Sequence, residues 1–294
     1  MNLDLIEISS KMNNNKIIIY ILIGIIIVAI STLAEFYFAN KNFEKHQNDM
    51  QEEVVLAEQL KKEKEEKKEK LLPVLTPEAQ AFINNIYKQQ EKTVYLTFDD
   101  GPSRTVTPLI LDVLKQENIK ATFFVLGSRV ELNPDIVKRE YEEGHYIANH
   151  GYSHVYSTIY NSVESIIHEY NITQQAIRNS IGVQEYNCHL FRFPGGSIGG
   201  KYKDIKNAAK PVLEQNEIAY LDWNALTNDS AGAKTKEQMV QSLIGTIENK
   251  NTVVVLMHDA GDKILTYEVL PEIIQIFRDR GYTFGDFYNI MKSK

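Results

Sequence analysis

The distribution of hydrophobic and polar residues divides the chain into three unlike parts. An uncharged run dominated by isoleucine begins at Ile17 and ends at Ala34. Residues 43–70 are crowded with Glu, Lys and Gln. From Thr93 onward, short apolar segments alternate with segments of helical periodicity. The pattern therefore predicts a long apolar helix, a charged helical segment and an α/β domain.

The α/β part contains segments typical of buried strands and others typical of helices. The predicted strands are residues 94–98, 121–125, 146–148, 189–193, 218–223, 252–257 and 282–284. The predicted helices are residues 107–116, 134–143, 163–181, 203–215, 236–248 and 270–280. Such alternation predicts parallel strands covered by helices. About seven strands favour a distorted or incomplete (β/α) barrel, and a doubly wound open sheet is the alternative.

The apolar run is long enough to cross a bilayer as a helix. Phe36, Tyr37 and Phe38 extend its apolar character past Glu35. A cleaved signal peptide is the alternative. However, this apolar run is longer than the apolar core of a signal peptide, and no small-x-small cleavage site follows it cleanly. We therefore expect a retained anchor at residues 17–39, preceded by a short cytoplasmic tail at residues 1–16.

The charged segment predicts a solvated helix or a short coiled stalk over residues 40–75, because its charges are mixed in sign and lie at helical spacing. Whether such a stalk pairs with another chain is left open by the sequence. Pro73 and Pro77 interrupt the pattern. We expect a lead-in helix at residues 76–90 and the folded domain at residues 91–294.

The charge of the chain excludes one class of partner but does not orient the anchor. A formal net charge of -7 argues against nucleic-acid binding. Lys11 and Lys16 on one side of the anchor are balanced by Lys41 and Lys45 on the other, so the positive-inside rule favours neither orientation. Cys188 is the only cysteine and is expected to be a small buried thiol.

Reactive side chains fall where predicted strands end. They are Asp99, Asp100, His150, Arg192, Asp222, His258 and Asp259. The C-terminal strand ends of a parallel barrel share the face that carries the chemistry. The stretch VYLTFDDGPS shows the pattern most clearly, with an apolar strand, two adjacent carboxylates and a Gly-Pro turn. Two adjacent carboxylates repel each other unless a cation, a proton or an arginine stabilises them.

His150 and His154 lie four residues apart in the segment NHGYSH. A helical turn there would place both imidazoles on one side. Two histidines and a carboxylate form a three-ligand zinc site with a position left for water. The carboxylate would come from the Asp99 and Asp100 pair, and the other aspartate would accept a proton from the water. These residues predict a metal-dependent hydrolase, although the same histidine spacing also occurs among ordinary surface residues.

Five motifs occur in the order TFDDGPS, NHGYSH, FRFPGG, DWNALTND and VLMHD. In this order they resemble the motifs of the polysaccharide deacetylase family, which is also known as the NodB-homology domain or carbohydrate esterase family 4. The resemblance covers residues 91–291. Within the family, the chain looks most similar to membrane-anchored bacterial peptidoglycan N-acetylglucosamine deacetylases. The resemblance implies a hydrolase that removes N-acetyl groups from cell-wall sugars.

The resemblance also implies a role for each matching residue. Asp99 matches the catalytic base, and Asp100 matches the metal ligand that His150 and His154 complete. Arg192 matches the arginine that holds the base, since an adjacent cation favours an ionised carboxylate. The implied sequence is metal-assisted attack of water on the acetamide carbonyl, with an oxyanion held by the metal and a backbone N–H, followed by release of acetate and amine.

His258 matches the general acid that protonates the leaving amine. Its orienting aspartate is either Asp229 or Asp222, and the spacing from Trp223 favours Asp229. The residues implied in substrate binding are Pro194, Gly195, Trp223 and Leu256, the last of which would line the acetyl pocket.

The motifs depart from the family pattern at three positions. Gly195 stands where the family commonly has an aromatic residue, so only its backbone N–H remains as an oxyanion donor. Gly151 stands where a serine or threonine is common, and Ser230 stands where tryptophan usually follows the aspartate. These departures motivate an alternative from a different class, a glycan-binding barrel without catalysis.

We expect a deacetylase of N-acetylglucosamine or N-acetylmuramic acid in peptidoglycan. Zn²⁺ is the expected metal, with Co²⁺, Ni²⁺ and Mn²⁺ as alternatives. Chitin oligomers, poly-N-acetylglucosamine and acetylated xylan remain open as substrates. The expected location is the cell membrane, crossed once, with the catalytic domain outside, and attachment to the inner leaflet is the alternative.

Overall fold

The computed structural model describes residues 3–66 and 71–291. The chain divides into two compact units, Met1–Glu69 and Lys70–Lys294. Residues 1–2, 67–70 and 292–294, which belong to the predicted tail, stalk and folded domain, lie outside the described residues.

The described part of the first unit is one helix, α1 (Leu3–Glu66). Within its segment Ile21–Leu56, a stretch of 18 residues has a mean hydropathy of 2.3. Large apolar side chains of this segment, such as Ile27 and Phe36, are exposed. The predicted apolar helix and the helical segment after it are therefore confirmed. By length and composition, the helix suits either a membrane span or a signal sequence.

The second unit is built on a parallel sheet. Its strands are β1 (Thr93–Asp99), β2 (Thr122–Val125), β3 (Tyr146–Asn149), β4 (Leu190–Phe191), β5 (Ala219–Tyr220), β6 (Ala225–Leu226), β7 (Thr252–His258) and β8 (Thr283–Phe284). The strand order is β5-β4-β3-β2-β1-β7-β6, and β8 pairs with β1. All these pairs are parallel. The seven strands of the main order form an incomplete barrel, as predicted, with β5 and β6 at its open edges.

Helices surround this sheet. They are α2 (Pro77–Asn84), α3 (Thr107–Gln116), α4 (Gly127–Leu132), α5 (Pro134–Glu142), α6 (Tyr156–Ile159), α7 (Val163–Ile181), α8 (Lys203–Gln215), α9 (Lys236–Ile247), α10 (Ile264–Asp279) and α11 (Phe287–Ile290), with a 3₁₀ turn at Ile86–Lys88. The best-defined example is α7, which begins after Ser162, whose hydroxyl accepts the N–H of Ser165, and ends at Gly182 with a φ of 73°. Because serine and glycine are typical capping residues, such caps allow the ends of a helix to be predicted from the sequence.

The prediction for α10 is wrong at its start, and several short elements were not predicted. Helix α10 begins at Ile264 and not at residue 270. Pro271 lies within it, where a proline ordinarily marks a helix start, and the buried side chains of Val269 and Leu270 hold the preceding turns against the core. Strand β6 was not predicted, because two paired residues are too few to show a strand pattern.

Cys188 lies in the core between α7 and the sheet. Burial raises the pKa of its thiol to about 11. A thiol that stays protonated at neutral pH is a poor nucleophile, so Cys188 is a packing residue, as predicted.

Candidate active site

The C-terminal ends of the central strands bring the reactive residues together. Strands β1 and β7 are neighbours, and their register pairs Asp99 with His258. Strand β3 ends one residue before His150, and β4 ends one residue before Arg192. The strand ends therefore gather side chains that are far apart in the sequence.

Asp100, His150 and His154 offer ligand atoms within 4.8 Å of one another. Asp100 Oδ1 lies 3.6 Å from His150 Nε2 and 3.3 Å from His154 Nε2. Ligand atoms at about 2.0–2.1 Å from a tetrahedral zinc ion are separated by roughly 3.4 Å. Asp100 Oδ1 is also buried without a hydrogen-bond partner, as suits an oxygen that binds a cation. The donor set and its spacing therefore fit a divalent metal, and we call these three residues the metal triad.

The orientation of His150 suits metal binding. Its Nδ1 lies 2.8 Å from the backbone carbonyl oxygen of Arg192, which can only accept, so Nδ1 carries the proton. Burial lowers the pKa of His150 to about 3, although the charge of Asp100 acts in the opposite direction. The ring is therefore neutral, with the free Nε2 facing Asp100.

The segment between the two histidines is a loop, so the predicted helical turn is wrong. Gly151 and His154 have φ angles of 81° and 56°, which no α-helix contains. Asn149 Oδ1 accepts the N–H of Gly151 at 2.9 Å. A Cβ on residue 151 would lie 2.8 Å from Ile159 Cδ1 and 3.1 Å from Glu169 Oε2. Close packing and a positive φ thus account for glycine at this position.

Glu169, a buried residue of α7, holds this loop in place. Its Oε2 accepts the backbone N–H groups of Tyr152 at 2.9 Å and Ser153 at 3.1 Å. Its Oε1 accepts the Ser153 hydroxyl at 2.5 Å. Hydrogen bonds to a charged acceptor stabilise by roughly 1.5–3 kcal/mol each. The position of His154, next in the chain, therefore depends on Glu169.

Glu169→Gln is expected to weaken Zn²⁺ binding by about 10–100-fold, because an amide NH₂ group would face backbone donors and release the loop. The dissociation constant is measured by competition with a coloured chelator. Glu164→Gln, at an exposed position of the same helix, serves as the control. Equal Zn²⁺ affinity in both variants would show that the loop holds its shape without Glu169.

Arg192 is fully buried and its guanidinium contacts four acceptors. Nη1 donates to Asp99 Oδ1 and to Thr97 Oγ1, both at 2.7 Å. Nε donates to the Leu221 carbonyl at 3.0 Å, and Nη2 donates to the Asp222 carbonyl at 3.1 Å. These contacts leave the guanidinium no freedom to turn away from Asp99.

Asp99 is held at one oxygen and faces the metal triad with the other. Oδ1 binds Arg192, and Oδ2 lies 3.8 Å from His150 Nε2. Burial raises the pKa of Asp99, and the positive charges of Arg192 and His258 counteract that rise. The carboxylate is therefore fixed in place beside the triad.

His258 faces the triad from β7. Its Nδ1 lies 2.9 Å from Asp229 Oδ1, and its backbone N–H donates to Asp229 Oδ2 at 2.7 Å. Thr266 Oγ1 donates to the same Oδ2 at 2.9 Å. Burial lowers the pKa of His258, but the hydrogen bond and charge of Asp229, together with Asp99 and Asp100, raise it to about 9. The imidazolium Nε2 lies 4.0 Å from Asp100 Oδ2.

Asp222, the other candidate partner of His258, lies in a different place. Its Oδ1 accepts the N–H of Ser197 at 2.8 Å, and its Oδ2 accepts the Ser197 hydroxyl at 2.7 Å. Asp222 therefore fixes the loop that follows Arg192, whereas Asp229 contacts the imidazole of His258.

The four residues expected to bind substrate lie in this loop, at Trp223 and on strand β7. The Pro194 carbonyl accepts the Tyr160 hydroxyl at 2.7 Å. Gly195 is exposed with a φ of 72°, and within the described residues its N–H donates to no acceptor. Trp223 and Leu256 are half-buried. A free N–H on an exposed loop beside the reactive residues suits an oxyanion donor.

Comparison with known proteins identifies the family. A family model described as Polysaccharide deacetylase matches residues 87–212. A peptidoglycan-N-acetylglucosamine deacetylase of Bacillus cereus is 35% identical over 208 residues, which cover 68% of this chain and 71% of that protein. The chain belongs to the polysaccharide deacetylase family.

Two further members of this family extend the comparison. A carbohydrate esterase family 4 (CE4) enzyme of Streptococcus mutans has a structure with a TM-score of 0.64 and 35% identity, covering 70% of this chain and 90% of that one. A peptidoglycan-N-acetylglucosamine deacetylase of Listeria monocytogenes is 36% identical over 197 residues, which are 66% of this chain. This chain spans only 37% of the length of the Listeria protein.

Several residues of this deacetylase-family site were not predicted from the sequence. They are Thr97, which accepts from Arg192, Glu169, which holds the histidine loop, Tyr156, whose ring packs against His154, and Lys206, which donates to the Gly196 carbonyl. Thr97 carried a weak signal, as a polar residue inside an apolar strand. Glu169 lies in a regular part of α7, where a buried glutamate and an exposed one give the same local pattern. Its role follows only from the packing of α7 against the histidine loop.

Asp259, the second acid at the end of β7, supports the turn after β1. Its Oδ2 accepts the Thr107 hydroxyl at 2.6 Å. A Cβ on Gly101 would lie 2.0 Å from the same Oδ2, so glycine is required there. Asp259 therefore holds in place the backbone turn that follows Asp99 and Asp100.

Proposed function

We propose that this protein is a metal-dependent hydrolase that removes N-acetyl groups from peptidoglycan and releases acetate. The observation that carries the proposal is the position of Asp99, with one oxygen bound to Arg192 and the other beside the metal triad. His258 faces the same triad from β7. A base and an acid around one metal site suit amide hydrolysis. The names of the Bacillus and Listeria relatives support N-acetylglucosamine as the sugar, with N-acetylmuramic acid as the second choice.

Asp100, His150 and His154 would hold the metal. When bound, a divalent cation polarises a carbonyl and lowers the pKa of water. We assign Zn²⁺ to the site, because two histidines and one carboxylate favour it, and Co²⁺, Ni²⁺ or Mn²⁺ are the alternatives.

Different side chains around the triad would carry out the two proton transfers of the reaction. Asp99 accepts a proton from the attacking water, and Arg192 favours its ionised form despite burial. The Gly195 N–H donates to the acetamide oxygen as that oxygen becomes negative. His258, held by Asp229, gives its proton to the leaving nitrogen. The products are acetate and a free amine on the sugar.

Three other residues would line the substrate pocket. We assign Trp223 to a face of the sugar ring, since aromatic faces pack on apolar ring surfaces. Leu256 would contact the acetyl methyl group. Pro194 would shape the loop that presents the Gly195 N–H.

We further propose that residues 17–39 anchor the protein in the cell membrane, with residues 1–16 in the cytoplasm. Residues 40–75 would form the stalk and residues 76–90 the lead-in helix, with the catalytic domain at residues 91–294 outside the cell. The apolar segment of α1 supports the anchor. The outer side is supported by the position of peptidoglycan, which lies beyond the membrane.

Protease added to intact spheroplasts tests the proposed side of the membrane. Loss of the catalytic domain is expected while a cytoplasmic marker protein survives. A domain that is protected until the cells are lysed would place the enzyme on the inner leaflet.

The deacetylase proposal is tested with full-length protein in detergent, by measuring acetate released from purified peptidoglycan, chitin oligomers and acetylated xylan. Release is expected to be highest from peptidoglycan, to fall at least about 100-fold after removal of metal by a chelator and to return with Zn²⁺. Protein that binds Zn²⁺ but releases acetate from none of these polymers would contradict the proposal and favour a glycan-binding barrel. Release that a chelator does not change would contradict the metal dependence alone.

A further inference from the structure

Tyr156, the first residue of α6, lies against Gly195. A Cβ built on residue 195 would lie 2.5 Å from Tyr156 Oη and 3.2 Å from its Cζ. Real Cβ atoms do not approach an oxygen so closely. The Tyr156 hydroxyl therefore occupies the space beside Gly195 that a side chain there would need.

Neighbouring aromatic rings hold Tyr156 in this position. Its ring centroid lies 5.7 Å from that of Tyr160 and 6.4 Å from that of Tyr202, both in edge-to-face geometry. Tyr160 is buried and binds the loop through its hydrogen bond to the Pro194 carbonyl. The Tyr156 ring and the Gly195 loop thus both contact Tyr160.

The loop is tied on its other side by a buried lysine. Lys206 Nζ donates to the Gly196 carbonyl at 2.7 Å and lies 4.9 Å from the centroid of the Tyr160 ring. Asp222 holds Ser197, the next residue, by two hydrogen bonds. A loop held at Pro194, Gly196 and Ser197 does not move away from Tyr156, so the contact with Gly195 is a fixed feature of the site.

The Tyr156 hydroxyl has no hydrogen-bond partner among the described residues, and Tyr156 is exposed, so its hydroxyl is open to a bound molecule. The ring also packs edge-on against His154 of the metal triad, with 5.6 Å between the ring centroids. A polar group at this place lies between a metal ligand and the free Gly195 N–H. Tyr156 is therefore placed where it can contact a bound substrate, and no internal hydrogen bond competes for its hydroxyl.

We propose that Tyr156 forms a wall of the substrate pocket and that its hydroxyl hydrogen bonds to an oxygen of the N-acetylated sugar bound beside the metal triad. This inference rests on the proposed function, because it names a contact to the proposed substrate. The contact is made to the bound sugar before the reaction, so its loss acts on binding more than on the chemical step.

Tyr156→Phe tests the contact, because it removes the hydroxyl and keeps the ring. The full-length protein is expected to show a KM about 3–10-fold higher, with kcat changed by less than about twofold, as for the loss of one neutral hydrogen bond. Zn²⁺ affinity is expected to stay unchanged, because the hydroxyl is not a ligand. Tyr282→Phe is the control, since Tyr282 lies just before β8 and its hydroxyl donates to the backbone carbonyl of Lys250, just before β7.

Binding without turnover separates this inference from the proposed function. Chitotetraose, or the polymer from which wild-type protein releases acetate, is titrated into Asp99→Asn and into Asp99→Asn with Tyr156→Phe. A dissociation constant about 3–10-fold higher in the second protein is expected. Equal affinities would overturn the contact even if the wild-type enzyme is active. Absence of acetate release by wild-type protein would instead count against the proposed function.

A double-mutant cycle tests the placement of the ring without any substrate. Gly195→Ala alone brings a Cβ onto Tyr156 Oη and also strains a residue with positive φ. The strain is common to both backgrounds, whereas the 2.5 Å contact with the hydroxyl oxygen disappears in Tyr156→Phe and only the 3.2 Å contact with Cζ remains. Gly195→Ala is therefore expected to lower the unfolding midpoint in urea less in the Tyr156→Phe background. Equal decreases in both backgrounds would overturn the placement, and with it the proposed contact.

Discussion

Asp99→Asn is expected to lower kcat for acetate release by about 10²–10⁴-fold, which is the contribution of a well-positioned base. Asparagine has the same shape and keeps an oxygen for the Arg192 guanidinium, but it accepts no proton from water. Because Asp99 is not one of the three proposed metal ligands, the Zn²⁺ dissociation constant should change much less than kcat. Acetate release and Zn²⁺ binding are measured on the same preparation.

The control for this variant is Asp135→Asn, at an aspartate that also binds an arginine but lies on the surface with 62% of its side chain exposed. The Asp135→Asn variant is expected to have wild-type activity. An Asp99→Asn enzyme within about tenfold of wild type would remove Asp99 from the role of base. A variant that loses Zn²⁺ together with activity would instead indicate that Asp99 supports the metal triad.

Arg192→Met is expected to lower the free energy of unfolding by about 3–5 kcal/mol, the cost of leaving one buried charge without its partner. Methionine fills much of the space of the arginine side chain but donates no hydrogen bond to Asp99, Thr97 or the two carbonyl groups that Arg192 contacts. Acetate release should also be lost, because the carboxylate of Asp99 is then no longer held in place. Urea denaturation measures the first effect.

Arg104→Met provides a matched control for stability. Arg104 makes two hydrogen bonds to Asp135, at 2.9 and 2.8 Å, so the geometry of the pair is as good as that of Arg192 with Asp99. The side chains of Arg104 and Asp135 are 60% and 62% exposed, and exposed pairs contribute about 0.2–1 kcal/mol. Burial, together with the three further acceptors of Arg192, should therefore separate the two arginine variants.

A second substitution identifies the source of the instability. Adding Asp99→Asn to Arg192→Met removes the unpaired charge and is expected to restore part of the lost stability. If Arg192→Met costs less than about 1 kcal/mol, or if the second substitution makes the protein still less stable, the buried pair is not what holds this part of the barrel together.

The local pattern of the sequence was sufficient for the fold class and for most of the elements. Apolar runs of strand length and helical periodicity depend on neighbouring residues, so α3, α7 and α8 were predicted with the bounds that the structure has. The placement of Asp99, His150 and Arg192 at strand ends follows from the same pattern, because parallel strands bring their C-terminal ends to one face.

The contacts between distant parts of the chain were decided only by the tertiary structure. Asp222 and Asp229 were both candidates for His258, and the path of the chain after β6 places Asp229 beside it. The histidine loop was mistaken for a helical turn because a spacing of four residues does not reveal φ, which here is set by Gly151 and by Glu169 on another helix.

The same distinction explains Gly195 and Tyr156. The sequence by itself determined that residue 195 has no side chain, but not what fills the space. Packing of α6 against the loop after β4 places a tyrosine hydroxyl there. Local sequence specifies the period of an element and the kind of residue at its end, whereas the partner of a side chain depends on register and loop path, which form only when the whole domain packs.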